Sequence, residues 1–149
     1  ADGRLRRYLL LRYLAQMAHP GGGLFGTLGD LARFGAALLA PGRDGMGRWL
    51  PLSPETIALM GEDHTRGLPG RFDDEERPVH QGLTWAKPTL MGDLPGGPDV
   101  IAHGGASGTR LWVDPSAQLV FVYLGAEWNP SREVERRALR AVYAAIGRS

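Results

Sequence analysis

Residues 101–124 constrain the fold of this chain more than any other stretch. Two strand-forming runs, Thr109 to Val113 and Leu119 to Leu124 (LVFVYL), flank Asp114-Pro115, a dipeptide that favours a turn. The spacing predicts an antiparallel hairpin. Ahead of it, Ile101-Ala102-His103 predicts a further strand leading into a bend at Gly104, Gly105 and Gly108. Glycine has no Cβ, so such a bend admits positive φ and lets a backbone N–H approach a ligand closely. One histidine, His103, stands at its mouth. The local sequence also accommodates a purely structural histidine beside a bend.

Around this hairpin the chain is punctuated as helices. Thr27 is a good N-cap with Asp30 three residues on, and Leu28, Leu31, Ala32, Gly35, Leu38 and Leu39 repeat at helical spacing until Pro41-Gly42. Ser53, Pro54 and Glu55 open a second, shorter helix whose Ile57 and Met60 point inward. Ser131 is the expected cap of a last helix reaching to about Ile146. In it Val134, Leu139, Val142 and Ile146 face the sheet, while Arg132, Arg136 and Arg140 stay solvated. Gly82 to Lys87 (GLTWAK) reads as one more strand. Gly61 to Gly82 reads as a polar, irregular loop around the acidic cluster Asp73, Asp74, Glu75 and Glu76, of a length that also suits the rim of a binding site. The expectation is an α+β fold, an antiparallel sheet flanked by helices, with the order helix, helix, strand, strand, strand, helix.

At 149 residues this is about one domain, large enough for a hydrophobic core. A hydrophobic fraction of 43 % outweighs the 22 Gly and 11 Pro as a sign of folding. A net charge of +1 gives no reason to expect nucleic acid. No apolar run nears the roughly 20 residues that cross a bilayer. The stretch Arg4 to Met17 (RLRRYLLLRYLAQM) is basic and leucine-rich; Arg12 interrupts it, and it is read as a helix packed on the domain rather than a signal peptide. The absence of cysteine excludes disulfides, thiol catalysis and Cys-based zinc sites, and leaves the compartment open. No pattern calls for a cofactor.

Several residues invite chemical readings. Ser107 lies four residues after His103 but outside any G-x-S-x-G elbow, and its hydroxyl is expected to bond the local backbone. His64, His80 and His103 match no metal-ligand spacing. Trp85 and Trp112 are expected in the core.

The segments GGGLFGTLGDLARFGAALL (Gly21 to Leu39), LSPETIALM (Leu52 to Met60), GLTW (Gly82 to Trp85) and HGGASGTRLWVDP (His103 to Pro115) follow one another in order. This succession resembles the C-terminal part of the serine β-lactamase-like family, which takes in class C β-lactamases, DD-peptidases and related esterases. The resemblance covers residues 20–149 and leaves 1–19 as an unassigned basic helical segment. It implies an incomplete β-lactamase/transpeptidase-like fold. His103-Gly104-Gly105 then stands where such enzymes carry a K-T-G-like triad, with histidine in the lysine position as in esterase and peptidase branches. Gly104 replaces the hydroxyl residue, and by the same match the backbone N–H of Ala106 is one donor of an oxyanion hole. The resemblance further implies that Gly104 and Gly105 border the substrate.

The other two family motifs are missing. The sole lysine, Lys87, has Thr84 three residues before it, so there is no S-x-x-K. Tyr8, Tyr13, Tyr123 and Tyr143 are followed two places on by Leu10, Ala15, Gly125 and Ala145, so there is no Tyr-x-Asn. Without a nucleophile and its base an acyl-enzyme cannot form by the family mechanism. Two readings follow. In one, the chain is the C-terminal segment of a serine hydrolase, needing an N-terminal half before it meets a small acyl substrate. In the other, it is a non-catalytic relic or binding module on the same scaffold. The missing strands of either would leave an open sheet edge, so self-association or a partner chain is expected.

Overall fold

The capping chemistry at Thr27 sets the first helix. A computed structural model describes residues 12, 13, 16, 24–40, 52–72, 75–92, 94–127 and 131–148. In it Thr27 Oγ1 accepts from the Asp30 N–H and Asp30 Oδ2 accepts from the Thr27 N–H, a reciprocal capping box that opens α1 (Leu28–Leu39). Ser53 caps α2 (Pro54–Gly61) in the expected way, with Pro54 in its first turn. Of the basic N-terminal stretch, Arg12, Tyr13 and Gln16 lie in helical backbone, and the rest falls outside the described residues.

The sheet has three antiparallel strands in the order β3 (Ile101–Gly104), β4 (Arg110–Asp114), β5 (Leu119–Tyr123). Ile101 faces Val113, His103 faces Leu111, and Trp112 faces Phe121. Alternation along the strands splits the side chains between two cores. On one face Ile101, Leu111 and Val113 pack with Leu38 of α1 and with Trp85, and Ile57 and Met60 of α2 close its margin. On the other, Ala102 and Trp112 pack with Val100 and with Leu139 and Tyr143 of α3 (Glu133–Ala145). Both tryptophans are core residues, as expected. Gly35 lets α1 sit close on the sheet, since a Cβ there would meet Val120 Cγ1 at 2.5 Å.

Four expectations are corrected. Gly82 to Lys87 is not a strand. The Gly82 N–H turns back to the Trp85 carbonyl, and only Ala86 pairs with the sheet, exchanging both hydrogen bonds with Ala102 (2.9 and 3.0 Å) before Pro88 starts a 3₁₀ turn, Pro88–Leu90. The supposed loop Gly61–Gly82 contains a hairpin of its own, β1 (Leu68–Phe72) with β2 (Glu75–Val79); Asp73 and Asp74 lie outside the described residues. Pro69 faces Pro78 there, a pairing tolerable only at a non-hydrogen-bonded position of the ladder. In α3 the cap position is held by Arg132, and Ser131 Oγ only accepts from the Glu133 N–H at 3.3 Å. Finally, Val134 and Ile146 are exposed, and the residues buried with Leu139 are Glu135 and Tyr143.

Candidate functional site

The single bridge at Ala86 fixes what stands beside His103. Pairing is antiparallel, so Ala86 opposite Ala102 sets Trp85 beside His103 and Lys87 beside Ile101. Accordingly the Trp85 indole and the His103 ring meet edge-to-face, their centroids 6.4 Å and their planes 86° apart. Phe34 of α1 also stacks on Trp85, with centroids 6.3 Å apart. His103 is exposed on the α1 face of the sheet, and the aromatic pair forms a wall behind it. Among the described residues the buried Trp85 Nε1–H has no acceptor.

After His103 the backbone closes into a tight turn. The Gly105 N–H donates to the Thr109 carbonyl (3.0 Å) and the Gly108 N–H to the Gly105 carbonyl (3.1 Å). Gly108 has φ +81, which favours glycine, and a Cβ on Gly105 would meet the Thr109 hydroxyl unless that side chain turned away. These bonds engage the Gly105 and Gly108 amides. The Ala106 and Ser107 N–H groups and the Ser107 hydroxyl form no hydrogen bond among the described residues. Ser107 therefore departs from the expected local backbone bond.

A charged brace holds the turn from behind. Glu135, 4 % exposed, accepts from Arg110 Nε (2.6 Å) and from Arg132 Nη1 (3.1 Å). Arg110 lies opposite Gly104 in the β3–β4 register, and Arg132 Nη2 reaches the Gly105 carbonyl at 3.4 Å. A carboxylate so buried is tolerable because two guanidiniums share its charge. The strand, the turn and the start of α3 are thus tied at one point.

The structure brings His103, Gly104, Gly105 and Ala106 together on one strand-turn unit, and it brings Trp85, Phe34 and the Arg110–Glu135–Arg132 brace to it unannounced by local sequence. The signal for Glu135 was faint: it shares the i, i+4, i+8 face of α3 with Leu139 and Tyr143. The other histidines are engaged elsewhere, His80 Nδ1 with Asp63 Oδ2 at 2.5 Å and His64 Nε2 with the Leu59 carbonyl.

Comparison with known proteins supplies the wider frame. The chain is 30% identical over 156 residues to Protein Rv1367c of Mycobacterium tuberculosis, and matches Uncharacterized protein MT1414 of another strain of that species equally well. In each case 87% of this chain is covered, and it spans 38% of the relative's length. It superposes on the crystal structure of a beta-lactamase from Mycobacterium bovis with a TM-score of 0.67 and 26% identity, covering 81% of this chain and 44% of that one. The α+β arrangement of antiparallel sheet and flanking helices is thus that of part of a β-lactamase fold. The Beta-lactamase family model matches residues 2–145, and this chain belongs to that family.

Proposed function

We propose that this chain forms the substrate-side wall of a β-lactamase-type serine acyl hydrolase, with the nucleophilic serine and its base supplied by residues outside this sequence. The unclaimed Ala106 N–H, at the crest of a braced turn that directly follows His103, carries the reading. In it the Ala106 amide donates to the developing oxyanion. His103 orients or polarises the substrate, and Gly104 and Gly105 leave room for the acyl group. Preorganisation supports the role: an oxyanion donor acts best when its position is fixed before the charge appears. Residues 20–149 are the C-terminal portion of the catalytic domain in this reading. The outer edge of β5, unpaired among the described residues, is where a complementing half or a second copy adds.

The test is active-site labelling. A fluorescent penicillin or a fluorophosphonate should leave this chain alone unlabelled. Adding an N-terminal half that carries S-x-x-K and Tyr-x-Asn should restore labelling on the added serine. Ala106→Pro, which removes the N–H, should then slow acylation by about 10²–10³-fold. Labelling of the isolated chain at Ser107 would overturn the reading, since Ser107 has an unengaged hydroxyl of its own.

A further inference from the structure

The opposite end of β3 holds an unusual group. Lys87, the only lysine of the chain, is 4 % exposed, and its side chain has no hydrogen bond or ion pair among the described residues. The Ala86 bridge puts it beside Ile101, on the wall of a cavity of about 470 Å³ between α1, α2 and the β4–β5 turn. Leu38, Ile57, Leu90 and Ile101 give that cavity a mainly apolar lining. Its size is that of a small-molecule site. It lies at the end of the sheet away from His103, so the acyl-transfer reading does not use it.

What could such a cavity hold? An anionic ligand is disfavoured, because Glu62, Asp63 and Asp99 line the same space and outnumber the one ammonium. A metal ion would be repelled by Lys87 in its charged form. The group that suits an unpartnered, desolvated amine among apolar walls is a neutral electrophile. We propose that Lys87 is a carbonyl-reactive amine, forming an imine with a small apolar aldehyde seated in this cavity.

The step balances without an oxidant or reductant. The neutral amine's lone pair attacks the carbonyl carbon, forming the C–N bond and a carbinolamine. The carbinolamine loses its hydroxyl as water, so that Lys–NH₃⁺ and R–CHO give Lys–NH⁺=CHR and H₂O. Burial holds the Lys87 amine below its ordinary pKa, against the opposing pull of Asp99 and Asp63, and so enlarges the neutral fraction that attacks. Asp63 is already saturated by His80, Thr65 and the Arg66 and Gln81 amides, which leaves Asp99 as the carboxylate facing the reacting nitrogen from the rim.

Incubating the intact chain with benzaldehyde and cyanoborohydride, then mapping the alkylated peptides by mass spectrometry, tests this. Peptide-level mapping separates Lys87 from the N-terminal amine. Lys87 should be alkylated faster than Nα-acetyl-lysine in the same solution, because burial enlarges the neutral fraction of its amine and the cavity holds the aldehyde beside it. The excess should vanish in urea. Ala58→Trp, which narrows the cavity from an exposed helix position, should slow labelling of Lys87 while leaving the N-terminal amine unaffected. A native rate equal to that of acetyl-lysine, or an unchanged rate in Ala58→Trp, would overturn the proposal. Neither result bears on penicillin labelling, so the two assignments fail independently.

Discussion

The two ends of β3–β4 treat charge in opposite ways. At the Gly104–Arg110 end a buried carboxylate, Glu135, is matched by two guanidiniums, and what stays unsatisfied is a backbone N–H at the surface. At the Ile101–Asp114 end the Lys87 side chain is buried with no hydrogen-bond partner among the described residues. On the opposite face of that same end Asp114 is fully served, accepting from the Tyr143 hydroxyl (2.5 Å) and the Ala117 amide (2.9 Å). The difference teaches where to look for chemistry. Buried groups with partners hold the fold, and groups left without one mark the places where a ligand would complete it.

Breaking the brace should have the largest effect. Glu135→Ala leaves Arg110 half-buried and unpaired and releases the Gly105 carbonyl. A loss of about 3 kcal/mol in urea unfolding is expected, with faster amide exchange at Gly105 and Gly108. Next comes the other tether. Tyr143→Phe removes a hydroxyl that donates to Asp114 and accepts from Trp112 Nε1–H, stranding two buried groups at a cost of about 2 kcal/mol. Lys87→Met should have the opposite sign, stabilising by about 1 kcal/mol near neutral pH. The folded chain releases the Lys87 proton more readily than the unfolded chain, so wild-type stability rises with pH towards about 10.4. The advantage of Lys87→Met should therefore shrink over that range. The smallest effect is on the acid side. The hydrogen bond from His80 holds the Asp63 carboxyl below its usual range. Its contribution is present above about pH 4 and is lost as pH falls, and Asp63→Asn should flatten that part of the stability–pH curve.

How much of this was legible in the sequence follows from the range of each interaction. Caps at Thr27 and Ser53 and the hairpin around Asp114-Pro115 are local, and all were readable. The face of α3 was misjudged because counting apolar residues favours Val134 and Ile146. The buried line is Glu135, Leu139 and Tyr143, and Glu135 belongs to it only because Arg110, 25 residues earlier, comes back to meet it. Pro69 and Pro78 likewise concealed a hairpin, since each lowers strand propensity and only their mutual register makes them harmless. Of the candidate site, the strand and glycine turn were visible in HGGASG, whereas the wall of Trp85 and Phe34 depends on a crossing that no local pattern encodes.

The lengths of the two tethered elements also agree. From Glu135 to Tyr143 α3 rises about 12 Å, and from Arg110 to Asp114 β4 advances about 13 Å, so helix and strand are pinned at matching points.

The bridge at Ala86 has a mechanical meaning beyond its two hydrogen bonds. Because it is the sole β-bridge between the 81–87 segment and the sheet among the described residues, it works as a pivot with one arm at each chemistry, Trp85 against His103 and Lys87 at the cavity wall. One residue thus sets the placement of two neighbours on the same face of the sheet, and Ala86→Pro, which deletes the N–H of that bridge, should disturb the surroundings of both Trp85 and Lys87, read as a change in indole fluorescence together with a change in the labelling rate of Lys87.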